Sequence, residues 1–149
     1  MLQMLNRLIN RAATIAYGFR RRPDGTSGAH AIALTPDGKI ILVKLRYAKG
    51  WRVPGGGRSK GEGLEAAVLR ELGEEIGMTG HGAVKKAAEL EQRPHYRRDL
   101  VSLVVVENVR YSPRWSWEVE RIIDVDPHHL PEGMSPLAEE WVAALREYL

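Results

Sequence analysis

Residues 56–78 read Gly56-Gly57-Arg58-Ser59-Lys60-Gly61-Glu62-Gly63-Leu64-Glu65-Ala66-Ala67-Val68-Leu69-Arg70-Glu71-Leu72-Gly73-Glu74-Glu75-Ile76-Gly77-Met78. Leu64, Val68, Leu72 and Ile76 recur every fourth residue, which predicts a helix over Glu62–Ile76 with one buried stripe. Gly77 ends it as a left-handed C-cap. Glu71, Glu74 and Glu75 stand at i, i+3 and i+4, so they project from one face within roughly 100° of arc, beside and partly over the apolar stripe. Gly73 points roughly away from them, where one use is a close packing contact.

Three acids in the last turns oppose the negative end of the helix dipole, and Glu71 and Glu75 form a like-charge i,i+4 pair. Each effect costs about 0.3–1 kcal/mol, and a divalent cation between the carboxylates would reverse both. Carboxylate oxygens are hard ligands, so Mg²⁺ or Mn²⁺ suits them better than Zn²⁺. From the helix alone, a solvated glutamate face and a cation site stand level. The preceding Gly55-Gly56-Gly57 favours the cation site, because it lets backbone amides approach an anionic ligand. Arg70 either orients the neighbouring Glu71 or pairs with Glu74 one turn on.

Outward from this segment, Gly28–Leu34 and Lys39–Leu45 read as strands joined by the turn Pro36-Asp37-Gly38, a hairpin. Further strands are expected at Ala83–Gln92, within Asp99–Val109 and around Trp117–Asp124. Ser135-Pro136 opens a last helix whose expected stripe is Leu137, Trp141, Leu145 and Tyr148. Strands on both sides of a helix indicate an α/β fold with a mixed sheet rather than a doubly wound parallel one. The 149 residues suit a single domain, residues 1–149, with residues 1–20 as a helical or strand-like extension in which Leu2, Leu5, Leu8 and Ile9 keep helical spacing. The absence of Cys excludes a disulfide scaffold, a thiolate metal site and a Cys nucleophile. No apolar run approaches the ~20 residues that span a bilayer, and Arg7 and Arg11 break up the N-terminal apolar stretch, so a cytoplasmic address without a membrane partner is expected.

Gly56, five residues, Glu62, seven residues, Arg70-Glu71-Leu72, one residue, Glu74-Glu75, one residue, Gly77-Met78: this pattern resembles the Nudix box with every specified position filled. Trp51-Arg52-Val53-Pro54-Gly55 resembles the family's lead-in, and the flanking elements fit the Nudix α/β/α sandwich along most of the chain. The resemblance implies hydrolysis of a nucleoside diphosphate linked to another moiety, with Mg²⁺ or Mn²⁺, by metal-activated water attacking phosphorus. It implies Glu71, Glu74 and Glu75 as metal ligands, joined by backbone atoms near Gly56. It implies Glu62 and Arg70 as the pair that orients the helix. The proton acceptor is either Glu71 or an acid outside the box.

The outside candidates are Glu107, Glu118 and Glu120. Glu118 and Glu120 share a face if their segment is a strand, and Glu118 is preferred because Leu130-Pro131 follows at the family's usual distance. A surface strand with ordinary charge is the plain alternative. Arg46, Arg93, Arg97 and Arg98 are candidate phosphate contacts, and His95 is either a solvated loop residue or a ligand contact; Tyr96 and Tyr47 are candidate base-stacking residues, whereas Trp51 is better placed to pack beneath the glycine loop. His128 and His129 read as surface residues. The expected partner is a nucleotide-type diphosphate, and a homodimer stays open. A formal charge of +3 does not by itself imply nucleic acid. An RNA-end hydrolase draws on Arg20–Arg22, Arg93–Arg98 and pI ≈ 9.3. A non-catalytic nucleotide- or RNA-binding module is the other alternative, although such modules usually lose box glutamates. The isoprenoid diphosphate isomerase branch needs a cysteine that this chain lacks.

Overall fold

The computed structural model describes residues 26–92 and 99–149. The expectations for residues 1–20, for Arg20–Arg22 and for Arg93, His95, Tyr96, Arg97 and Arg98 therefore lie outside the described residues. The strands are β1 (Thr26–Ala33), β2 (Ile40–Leu45), β3 (Trp51–Arg52), β4 (Gly55–Gly56), β5 (Met78–Gly80), β6 (Val84–Gln92), β7 (Asp99–Val106), β8 (Arg110–Tyr111) and β9 (Val119–Val125). Helix α1 covers Leu64–Ile76, and α2 covers Pro136–Leu145 before a 3-10 turn at Arg146–Tyr148.

Three ladders form, in the orders β4-β1-β7-β6, β3-β2-β9 and β5-β8. β1 and β7 run parallel and the other pairs antiparallel, so the sheet is mixed. Side-chain alternation sends successive residues to opposite faces. Ala29, Ala31 and Ala33 of β1, Ile41 and Val43 of β2, and Val104 and Val106 of β7 meet Ala67, Val68, Leu72 and Ile76 of α1. Ile32, Ile40, Leu42, Val101 and Leu103 from the same strands meet Trp141, Val142 and Leu145 of α2. Both faces are covered by a helix, which gives the expected α/β/α sandwich. The three alanines of β1 keep the strand surface low beneath α1.

The β1–β2 turn forms as the sequence predicts, but the hairpin does not. Thr35 N–H donates to the Lys39 carbonyl at 2.8 Å, and Gly38 takes a positive φ of 79°. Beyond the single Leu34–Ile40 bridge the strands part into different ladders. Both edges of β1 are taken, by β4 and β7, and both edges of β2 by β3 and β9.

Two other expectations change. Ser135 caps α2 as expected, its Oγ accepting from the Ala138 N–H at 3.2 Å. The inward face, however, is Ala138, Trp141, Val142 and Leu145, while Leu137 and Tyr148 are exposed. The α-helix ends at Leu145, and the tighter 3-10 turn carries Tyr148 out of the stripe's phase. Strand β9 begins at Val119, later than expected, and a register irregularity interrupts its pairing between Lys44 and Leu45.

Candidate active site

Helix α1 starts after Gly63, which offers no side-chain cap, so the loop before it is fastened from the helix itself. Arg70 reaches back and grips Glu62 with two parallel hydrogen bonds, Nε to Oε2 at 2.7 Å and Nη2 to Oε1 at 2.8 Å. This fork geometry is the strongest arrangement open to an arginine and a carboxylate. Nη2 also donates to the Gly57 carbonyl at 3.1 Å. Glu62 accepts from the Ser59 N–H at 2.9 Å, and Arg58 donates to the Glu62 carbonyl at 3.2 and 3.3 Å. The Glu62 carboxylate holds the Arg70 guanidinium even more firmly protonated than usual. Loop 57–62 is thus tied to the middle of α1.

Arg70 then touches the acidic face itself. Nη1 lies 3.3 Å from Glu71 Oε1 and 3.5 Å from Glu74 Oε2, the latter at the limit of a hydrogen bond. Both expectations for Arg70 hold, with Glu62 as its main partner. Glu75 is anchored from the other side, its Oε2 accepting from the Gly55 N–H at 3.0 Å. Glu71 and Glu75 are each only 2% exposed, while Glu74 opens to solvent. The three glutamates share a helix face as predicted, and two of them are buried in it.

Glycine is required at both ends of this arrangement. A Cβ on Gly55 would stand 2.5 Å from the Ala29 carbonyl oxygen and 2.6 Å from His30 Cα, so only glycine brings β4 close enough to β1 for its amide to face Glu75. Gly77 combines φ 70° with a would-be Cβ 2.2 Å from the Ser112 carbonyl oxygen, and its N–H donates to the Leu72 carbonyl. Gly73 differs: no described residue lies within 4 Å of a Cβ there, so the suggested packing contact is absent among the described residues.

Glu118 and Glu120 do not share a face. Glu118 precedes β9 and is 4% exposed, whereas Glu120 and Glu107 are exposed. Ser116 makes this bend: its Oγ accepts from the N–H groups of Glu118 and Val119, both at 3.1 Å. Arg46 is built into the same bend. Its N–H donates to the Glu118 carbonyl at 2.9 Å and its Nε to the Ser116 carbonyl at 3.1 Å. Trp51 packs in the α2-side core as expected, with the Lys44 and Arg121 cations 5.9 and 5.5 Å from its ring. Tyr47, His128 and His129 are exposed. The Gly55–Glu75 bond and the Trp115-Ser116-Trp117 bend were not anticipated; the Gly-Gly-Gly run pointed to the first, but toward a ligand rather than toward Glu75.

The donor set fits a hard divalent cation. Glu71, Glu74 and Glu75 offer carboxylate oxygens, and no sulfur or imidazole ligand stands among them. Among the described residues, no group of three or more His, Cys, Asp or Glu side chains is placed to hold a metal ion. In phosphate-handling sites generally, Mg²⁺ is held by one or two carboxylates, with waters and substrate phosphates completing the shell. No helix among the described residues is long and apolar enough to cross a membrane.

The α/β/α sandwich thus carries a glycine loop, an Arg–Glu clasp and two buried glutamates on one helix. The NUDIX domain model matches residues 25–145, and the chain belongs to that family. Solved structures share the fold. The MutT NUDIX hydrolase from Burkholderia pseudomallei superposes with a TM-score of 0.66 at 22% identity, over 78% of this chain and 94% of that one. The MutT protein from Methanosarcina mazei Go1 gives 0.68 at 18% identity, over 81% and 92%. Over 72 residues the chain is 36% identical to the “Putative 8-oxo-dGTP diphosphatase” of Bacillus subtilis (strain 168), 48% of this chain and 47% of that protein. It therefore spans about half the length of that curated relative.

Proposed function

We propose that this protein is a Mg²⁺- or Mn²⁺-dependent pyrophosphohydrolase that cleaves a nucleoside diphosphate linked to another moiety. The observation that carries this is the pair of buried carboxylates, Glu71 and Glu75, fixed on one face of α1 by Arg70 and by the Gly55 amide. Burying two carboxylates one turn apart is costly unless a cation or hydrogen bonds compensate them. The name of the Bacillus subtilis relative supports an oxidised purine nucleoside triphosphate as one candidate substrate.

Glu71, Glu74 and Glu75 would hold the cation, with backbone atoms at Gly56. When bound, the cation neutralises phosphate oxygens and activates water for in-line attack. Arg70 keeps Glu71 in place, and its clasp on Glu62 keeps the glycine loop against the helix. Gly55 fixes the direction of Glu75 through one N–H, so both buried ligands are oriented before substrate arrives. Glu118, buried beside the Ser116 bend, is the accessory acid of this proposal and would accept the proton released from water. Glu71 is the other candidate acceptor.

The test is a panel of nucleoside diphosphate derivatives incubated with Mg²⁺ or Mn²⁺ and read by product mass. Turnover of at least one compound, lost on adding EDTA, is expected. Failure of the whole panel would favour a binding module.

A further inference from the structure

We infer that Trp115 and Trp117 form a stacking platform for the nucleobase of the substrate. The inference deepens the proposed function and rests on it for the identity of the ligand. The two indoles meet edge to face, with centroids 4.7 Å apart and an interplanar angle of 78°. They are nevertheless 66% and 44% exposed. Exposed aromatic clusters of this kind mark interaction sites.

The pair is held rigidly. Ser116 between them is buried, its Oγ takes two backbone N–H groups, and its carbonyl takes Arg46 Nε. The Arg46 guanidinium also lies 5.8 Å from the Trp115 ring, within cation–π range. A platform ordered in advance loses little entropy when a base stacks on it.

Its position ties it to the chemistry. The loop that carries the indoles follows β8 and touches the C-cap of α1, where the Ser112 N–H donates to the Gly77 carbonyl at 3.0 Å, two residues after Glu75. Arg114 Nε comes within 3.8 Å of the Cβ position of Gly77. The loop ends at the buried Glu118. The segment that carries the indoles therefore runs from a contact with the end of the glutamate helix to Glu118, with Arg46 against Trp115 and Arg114 near Gly77. A flat aromatic ring bearing phosphates matches that combination. Base–aromatic stacking tolerates any base, so the platform sets a preference for nucleotides over base-free phosphates rather than for one base.

The experiment is calorimetric titration of the full chain with dGMP, AMP and ribose 5-phosphate, in wild type, Trp115→Ala, Trp117→Ala and Trp115→Phe. None of these titrations needs turnover, so the result is separable from failure of the hydrolase proposal. The Kd for dGMP and AMP should rise roughly tenfold in each alanine variant, as expected for losing one stacked base. Trp115→Phe should recover most of the loss, and ribose 5-phosphate should bind all four proteins alike. Nucleotide affinity within twofold of wild type in both alanine variants would overturn the platform, as would an equal loss for ribose 5-phosphate. Wild type failing to bind either nucleotide at millimolar concentration would overturn it too. A change of oligomeric state in Trp115→Ala with unchanged nucleotide affinity would assign the patch to self-association instead.

Discussion

Helices α1 and α2 cover opposite faces of the same strands, yet they bury different things. On the α2 side the inward residues are Ala138, Trp141, Val142 and Leu145, an apolar face of the ordinary kind, and the helix is started by a serine cap. On the α1 side the inward residues include Glu71 and Glu75, and the helix lacks a side-chain cap at its start. What the first helix lacks locally is supplied from elsewhere: the Arg70–Glu62 clasp at one end and the Gly77–Ser112 contact at the other. One face of the sheet is built for stability, and the other holds charge in a fixed position. Local rules are broken on the face that carries the chemistry.

The largest expected effect tests the charged face. Glu71→Gln should lower kcat/KM by about 10³-fold, since a cation's electrostatic stabilisation is worth several kcal/mol. Its far-ultraviolet circular dichroism should stay that of wild type. A variant with near-normal kcat/KM would make the buried pair structural only.

The mirror experiment lies on the other face. Leu145→Ala should cost about 3 kcal/mol of stability, measured by urea denaturation, while turnover per folded molecule stays within twofold of wild type. A drop in turnover beyond the loss of folded protein would erase the division between the faces.

A smaller effect of opposite sign is expected within α1 itself. Gly73→Ala adds a methyl group where no described residue lies within 4 Å, in a helix interior that glycine weakens. It should raise stability by about 0.8 kcal/mol, a shift of roughly 2–4 °C in Tm. A fall in Tm would reveal a close contact at Gly73.

The smallest effect belongs to the turn that leads between the two ladders. Asp37 accepts a hydrogen bond from Thr35 Oγ1, which holds its carboxyl below the ordinary value of 3.8. A depressed carboxylate stabilises the fold above its unfolded pKa and loses that contribution as pH falls through the folded value. Asp37→Asn should therefore lower Tm slightly at neutral pH and converge with wild type in acid. A difference that grows as pH falls would contradict this sign.

The contrast between the faces also separates what the sequence disclosed from what it concealed. The α1 stripe, its end at Gly77 and the shared face of Glu71, Glu74 and Glu75 follow from spacing within one helix, so they were legible. The turn Pro36-Asp37-Gly38 was legible for the same reason, because its backbone preferences are local. The partners of β1 and β2 were not, since pairing is decided by β7 and β9, more than sixty residues further along the chain. Tyr148 leaves the α2 stripe because the helix tightens after Leu145, and Leu137 gives way to Ala138 and Val142 because packing against the sheet, which apolar spacing does not announce, sets the inward face. Glu118 parted from Glu120 through one buried serine, a tertiary detail that strand alternation cannot contain.

Cation-dependent hydrolysis at the α1 face is tested most directly on Glu74, whose side chain opens to solvent and meets Arg70 at 3.5 Å. Release of phosphate or pyrophosphate from a nucleoside diphosphate derivative should be compared in wild type and Glu74→Gln, with Mg²⁺ and with EDTA. The expected result is turnover by wild type with Mg²⁺ alone, and none by Glu74→Gln, with both proteins folded and equal in Tm. Equal activity in EDTA, or full activity in Glu74→Gln, would contradict the assignment of this face to metal-dependent hydrolysis.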